Sequence, residues 1–323
     1  MTSKPMIILT GPTAVGKTKA SISLAKAIGG EIISADSMQV YRLMDIGSAK
    51  ITPEEMDGVP HYLVDVLDPT EDFNVVRFQQ MAKSALDQIY ANHHIPIIVG
   101  GTGFYIQALL YDIDFTSNPS DTSYRTELEE LAQEKGAGYL HDQLRLVDPK
   151  AADDIHENNV KRVIRALEFY MQTGTRISEH NEQERKRTAP YNFAYFVLND
   201  ERSHLYERID RRVDQMMEQG LVAEVDRLRS MGMNRQMVSM QGLGYKEILT
   251  YLDGECTLDE AVYIIKRETR HFAKRQITWF KREKDVTWIN KQDYDYDETT
   301  ILRAMLEILQ NRKICGIAED SKI

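Results

Sequence analysis

Met6-Ile-Ile-Leu-Thr-Gly-Pro-Thr-Ala-Val-Gly-Lys-Thr18 joins a short apolar run to a complete G-x-x-x-x-G-K-[ST] match. The run reads as a buried parallel strand. Behind the motif, Ala20, Leu24, Ala27 and Ile28 recur at helical spacing until Gly29-Gly30 stops the pattern. Strand, glycine-rich loop and helix in that order make a phosphate cradle. The glycines let backbone N–H groups turn inward onto phosphate oxygens, and the helix N-terminus adds favourable dipole charge. The candidate diphosphate ligands are therefore Gly11, Pro12, Thr13, Ala14, Val15, Gly16, Lys17 and Thr18, with Lys17 as a mobile cation and Thr18 as a hydroxyl ligand for Mg²⁺. The match points to a diphosphate-bearing ligand without specifying ATP.

Working outward, residues 31–35 and 95–99 read as further buried strands, and 75–90 as the helix between them. That alternation predicts an α/β fold, a P-loop NTPase-like parallel sheet with right-handed crossovers. From about Phe115 the texture changes. Helical patterns over 124–135, 139–147 and 160–172 replace strands, Ser117-Asn118-Pro119-Ser120 marks the start, and Arg185-Lys186-Arg187 with Pro190 marks the end. Residues 192–198 read as a strand again. The expected organisation is a core of 1–115 and 191–323 with an all-helical insertion over 116–190. Thr257-Leu-Asp-Glu260 fits a capping box for a long helix. Ile265, Phe272, Trp279 and Phe280 mark its apolar stripe, and Lys266, Arg270 and Lys274 a basic one. Asp293 to Glu298 reads as a solvated acidic loop.

Composition excludes several classes. The 323 residues are 42% hydrophobic and 28% charged, which is ordinary for a globular chain and argues against disorder. The longest stretch free of charged residues and histidine, 95–111, is too broken by Pro96 and glycines to span a bilayer. The N-terminal apolar run is too short for a secretion signal, so a cytoplasmic location is expected. Cys256 and Cys315 are expected as reduced thiols, and His93-His94 as a solvated loop. The net charge of −10 argues globally against nucleic acid, yet residues 261–284 hold eight Lys/Arg against two Glu.

Asp36 follows the second strand, at the edge where open α/β sheets bind ligands. It should face the bound phosphates, or else cap the next turn. ATP-hydrolysing P-loop proteins carry another acid after an apolar strand. Here the strand 95–99 ends in Gly100-Gly101-Thr102-Gly103 instead. That weakens a motor or GTPase reading and leaves a transferase, with a small-metabolite kinase or a nucleotide-dependent switch as alternatives.

Six strings occur in order over about residues 6–284: GPTAVGKT (11–18), ISADSMQVYRLMDIGSAK (33–50), PIIVGGTGFYIQALL (96–110), NVKRVIRALE (159–168), QGLGYKE (241–247) and RHFAKRQITWFKRE (270–283). Together they resemble the tRNA dimethylallyltransferases of the bacterial type. The two cysteines are too few for the zinc finger that eukaryotic relatives often add. The resemblance implies transfer of a dimethylallyl group from dimethylallyl diphosphate to the N6 amine of the adenosine 3′-adjacent to the anticodon, with release of diphosphate. It implies Mg²⁺ as cofactor and the tRNA anticodon stem-loop as partner. A monomer is expected. Asp36 would be the general base, aided by Lys17 and Thr18. Arg208 and Arg212 are candidates to hold the diphosphate, with surface ion pairs to Glu207 or Asp210 as the alternative. The family's RNA contacts map onto Asp36, Ser37, Met38, Gln39, Thr102, Arg125, Lys161, Arg162, Val163, Ile164, Arg165, Gln241, Gly242, Leu243, Gly244, Tyr245 and Lys246. Lys161, Arg162 and Arg165 form one candidate phosphate track, and Arg270, Lys274 and Arg275 a second. The insertion is expected to contribute to the tRNA cleft.

Overall fold

The computed structural model describes residues 3–115, 123–184 and 186–315. Ser117 to Ser120 and Arg185, which mark the expected ends of the insertion, lie outside the described residues. The chain divides into two compact units, one of Met1–Leu110 with Pro190–Ile323 and one of Tyr111–Ala189.

The first unit is built on six parallel strands. They are β1 (Pro5–Thr10), β2 (Gly30–Ser34), β3 (His61–Tyr62), β4 (Ile95–Gly100), β5 (Asn192–Asn199) and β6 (Val286–Asn290), in the spatial order β3-β2-β4-β1-β5-β6. The centre of the sheet is apolar on both faces, because β1 has helices to bury each set of alternating side chains. Ile7 and Leu9 pack with Ile97, Phe196 and Leu198 in one core, while Met6 and Ile8 are also fully buried. Helix α1 (Lys17–Ile28) supplies Leu24 and Ala25 to that core. Short α2 (Pro53–Met56), then α3 (Val75–Ala91) and α4 (Gly103–Leu110), complete this half of the unit.

The second unit is helical among its described residues: α5 (Ser123–Lys135), α6 (Ala137–Val147), α7 (Pro149–Asp154), α8 (Val160–Thr173) and α9 (Ile177–Glu184). Leu128, Leu140, Leu144, Val163, Ile164 and Leu167 make its core. The short helices α7 and α9 lack a strong apolar period and were not predicted. Buried Asp148 ties them together, accepting from the Ala151 N–H at 3.0 Å and from the Ser178 N–H and hydroxyl at 2.9 and 2.7 Å.

The chain then returns to the sheet through β5 and continues into α10 (Arg202–Glu218), α11 (Leu221–Ser230), α12 (Tyr245–Leu252) and α13 (Leu258–Phe280). Thr257 and Glu260 form the expected capping box. The buried stripe of α13 is Ala261, Ile265, Ala273, Gln276 and Phe280, with Phe272 and Trp279 only partly covered. The stretch from Asp293 to Glu298 is solvated as expected but is only partly loop. A 3₁₀ turn covers Lys291–Tyr294, and Asp297 caps α14 (Glu298–Asn311) by accepting from the Thr300 N–H at 2.9 Å. Helix α14 buries Ile301, Met305 and Leu309 in the same core as α1. His94 is not simply solvated. Its Nδ1 lies 2.5 Å from buried Glu31, which also accepts from the Tyr62 hydroxyl at 2.7 Å. Both cysteines are free, and no helix among the described residues is long and apolar enough to cross a membrane.

One buried carboxylate holds the segment after β2 in place. Glu224 accepts from the N–H groups of Asp45, Ile46 and Gly47 at 2.9, 2.8 and 3.1 Å, and from the Tyr245 hydroxyl at 2.8 Å. Replacing it leaves four donors without an acceptor in the interior. Glu224→Ala should lower the unfolding free energy in urea by about 3 kcal/mol, and Glu224→Gln by less. A Glu224→Ala midpoint equal to wild type would contradict this anchoring role.

Candidate functional site

Parallel register brings the strand ends together. Thr10 stands beside both Gly100 and Val197, and Ser34 beside Val99. The phosphate-type loop therefore leaves β1 between the ends of β4 and β5. Thr10 Oγ1 donates to the Gly100 carbonyl at 2.6 Å. Gly16, in the left-handed region at φ 100°, ends the loop and starts α1 with no side-chain cap and no acid in the first turn. The helix N-terminus is left electropositive.

Lys17 reaches back over the loop, donating to the carbonyls of Gly11 and Pro12 at 3.0 and 2.8 Å. Burial, and then the nearby Arg212 guanidinium, bring its pKa down to about 7. Arg208 donates through Nε to the Ala14 carbonyl at 2.8 Å. The alternative of surface pairing does not apply to it, because Asp210 is held by both oxygens on Arg270 at 2.6 and 2.8 Å. Burial and the neighbouring Arg208 also press the Arg212 pKa downward. Lys17, Arg208 and Arg212 thus gather at one loop, and their mutual repulsion is relieved by an anion.

Asp36 lines the same cavity as Lys17 and Thr18. Of the two expectations for this residue, the turn cap is formed. Its Oδ1 caps the next turn, accepting from the N–H groups of Met38 and Gln39 at 2.8 and 3.2 Å. That fixes the carboxylate and leaves Oδ2 for other use. The Thr102 N–H donates to the Ala35 carbonyl at 3.3 Å, so Thr102 stands next to Asp36. Met38 lies against Gly242, where a β-carbon would come within 2.5 Å of the methionine methyl. The segments holding Ser37, Met38 and Gln39 and holding Gln241, Gly242 and Leu243 thereby meet.

Several expected RNA contacts are corrected. Val163 and Ile164 fill the core of the helical unit, at 0% and 4% exposure, so their side chains cannot touch RNA. Tyr245 is fully buried on Glu224, and buried Gly244 supplies the left-handed turn before α12 at φ 95°. Arg125 and Arg165 share buried Glu168 at 2.6 and 3.2 Å. Lys161 and Arg162 are exposed, as are Lys274 and Arg275 on α13, but Lys266 is held by Asp214 at 2.5 Å and Arg270 by Asp210. Lys246 is half-buried, 3.6 Å from Glu247.

One organising residue was not picked out. Buried Gln276 on α13 accepts from the Thr13 N–H at 2.8 Å and donates to the Gly101 carbonyl at 3.0 Å. It ties the loop after β1 to the loop after β4. A single glutamine in an apolar stripe was the available signal.

A family model for IPP transferases matches residues 39–283. The chain belongs to the IPP transferase family. It is 64% identical over 311 residues to a tRNA dimethylallyltransferase of Lachnoclostridium phytofermentans, covering 96% of this chain and 99% of that one. It is 51% identical to a tRNA dimethylallyltransferase of Acetivibrio thermocellus, covering 92% and 95%. Among solved structures, the tRNA isopentenylpyrophosphate transferase of Bacillus halodurans is similar at TM-score 0.72 and 46% identity, over 96% of this chain and 98% of that one. A eukaryotic dimethylallyltransferase captured acting on tRNA is similar at TM-score 0.83 and 30% identity, over 98% and 82%.

Lys17 gives this family member a proton signature. A bound polyanion favours the charged amine and raises its pKa above the free value of about 7. Calorimetry of inorganic pyrophosphate in buffers of different ionisation enthalpy should show proton uptake that Lys17→Arg lacks. The difference should approach one proton at about pH 8 and vanish by about pH 6, where free Lys17 is already charged. Equal uptake by the two proteins at both pH values would remove Lys17 from the anion site.

Proposed function

We propose that the chain transfers the dimethylallyl group of dimethylallyl diphosphate to the N6 amine of the adenosine 3′-adjacent to the tRNA anticodon. Diphosphate leaves. The observation that carries this reading is the pairing of Lys17, Arg208 and Arg212 with one turn-fixed carboxylate, Asp36, around one loop. Cations without a second acid suit a leaving diphosphate, and a lone carboxylate suits a proton acceptor. The names of the relatives agree with it.

The allylic C–O bond breaks, and its electron pair goes to the diphosphate oxygen. The N6 lone pair forms the new C–N bond, and Asp36 takes the N6 proton. Adenine N6 is a poor nucleophile because its lone pair is delocalised into the ring, so an oriented acceptor matters. Lys17, Arg208, Arg212 and the loop amides meet the charge that develops on the leaving group. Thr18 offers a hard oxygen donor, which fits Mg²⁺ completed by substrate phosphates and water. When bound, Mg²⁺ would neutralise charge on the diphosphate.

The adenosine reaches this site by leaving the anticodon-loop stack, at a cost of a few kcal/mol. Ser37, Met38, Gln39, Thr102, Gln241, Gly242 and Leu243 would receive it from the side of Asp36. Exposed Lys161 and Arg162 in the helical unit, with Lys274 and Arg275 and the half-buried Lys246, would hold phosphates. The reaction takes place in the cytoplasm, where tRNA is modified.

The direct test is to incubate the protein with dimethylallyl diphosphate, Mg²⁺ and unmodified tRNA, and to measure nucleoside mass. Prenylated adenosine is expected, and phosphorylated product without it would sink the proposal. Asp36→Asn should slow single-turnover transfer by about 10²–10⁴-fold while tRNA affinity stays within a few fold. A wild-type rate would take Asp36 out of the reaction. The double variant Lys161→Ala with Arg162→Ala should flatten the slope of log K for tRNA against log salt by about 1.4, from about 0.7 for each phosphate contact. An unchanged slope would show that neither residue meets a phosphate.

A further inference from the structure

Lys291 stands outside the loop and the carboxylate side of the site. It follows β6 at the C-terminal edge of the sheet, eight residues beyond the last of the strings quoted above. It is only 7% exposed, and its ammonium makes no hydrogen bond or ion pair with the described residues. An ammonium taken out of water without a partner is costly. Its surroundings increase that cost. Burial, and then Arg208, push its pKa down. The acids facing it are Glu298 and Asp200, with Lys19 as a further cation. Glu298 is already held by Lys19 at 2.6 Å, while Asp200 Oδ2 stands 2.9 Å from His204 Nδ1 without a formed hydrogen bond.

Geometry says where the ammonium is aimed. Its Nζ lies 3.4 Å from the place a β-carbon on Gly16 would occupy, and Arg208 Nη2 lies 3.6 Å from the same place. Gly16 begins the twelve-residue helix α1, whose N-terminus has neither a side-chain cap nor an acid in its first turn. Two cations and an uncapped helix N-terminus thus converge beside Gly16. Each of these features favours an anion.

We infer that Lys291 is a further binding residue for the diphosphate, holding one of its oxygens together with Arg208 at the Gly16 end of the loop. This rests on the transferase reading for the identity of the anion, though not for its charge. The absence of any side chain at Gly16 leaves the ammonium its approach. Lys291 completes a set in which Lys17 covers one end of the loop and Arg208 with Lys291 the other.

The probe is inorganic pyrophosphate, with binding measured by calorimetry and by the rise in each variant's own melting temperature. Lys291→Met should weaken pyrophosphate about 10- to 100-fold, the range for losing a hydrogen bond to a charged group. Lys291→Arg should bind within a few fold of wild type, and tRNA affinity should be unchanged in both. Should Lys291→Met fail to fold, Lys291→Gln takes its place in the same measurements. Pyrophosphate affinity equal to wild type in the Met or Gln variant would overturn the inference. So would a Lys291→Arg defect as large as that of Lys291→Met, since it would point to packing rather than charge. Wild-type protein that shows this pattern yet prenylates no tRNA would keep Lys291 as an anion ligand and refute the transferase reading. Wild-type protein that does not bind pyrophosphate would overturn both.

Discussion

At Gly11 and Gly100 the backbone leaves no room for a β-carbon. One on Gly11 would stand 2.3 Å from the Leu198 carbonyl oxygen, and one on Gly100 would stand 2.2 Å from that of Ala35. The end of β1 is pressed against β5, and the end of β4 against β2. Everything at the site follows from that closeness. The loop that starts at Gly11 can be reached by Arg208 from α10, the helix after β5. Asp36, one residue past Ala35, falls into the same cavity as Lys17. Gln276 then spans the short gap between Thr13 and Gly101. Any side chain at either glycine would separate the cations from the carboxylate.

The electrostatics are local. The chain carries a net charge of −10, yet cations outnumber acids around the loop. Screening confines each exposed charge to roughly 8–10 Å, so the surface acids do not cancel the site. Within the site, crowding of like charges is itself informative. Lys17 and Arg212 are both pushed toward their neutral forms, with burial as the leading cause and a cationic neighbour behind it. Such crowding of cations favours an anion at the loop. The same principle separates paired cations from unpaired ones. Arg270, Lys266, Arg125 and Arg165 already have carboxylates, while Lys161, Arg162, Lys274 and Arg275 stand in solvent.

The central sheet and the loop were legible because their signals are local. An apolar run of strand length, a glycine motif and a helical period need only neighbouring residues to be recognised. Strand β6 was not legible. Val286 to Asn290 is a half-buried edge strand of five residues directly behind a run of charge, too short to show a clear period. Helix α14 was missed despite Ile301, Met305 and Leu309 at helical spacing, because the acidic run before it was read as loop rather than as a cap. Within the site, a motif string could not tell contact residues from packing residues. Val163, Ile164 and Tyr245 belong to strings that resemble RNA-binding segments, but their side chains fill cores. Roles that depend on distant pairing were the least visible. Gln276 meets Thr13 across 263 positions, and Lys291 meets Gly16 only through the β5–β6 edge. No spacing rule connects such residues.

The central claim is that the loop holds a leaving diphosphate rather than a nucleoside triphosphate to be cleaved. It is tested most directly by counting products in one reaction containing tRNA, dimethylallyl diphosphate, Mg²⁺ and labelled ATP. Diphosphate and prenylated adenosine should appear in one-to-one ratio, with the ATP intact and its omission without effect. Orthophosphate released from ATP, or transfer that stops when ATP is withheld, would contradict it.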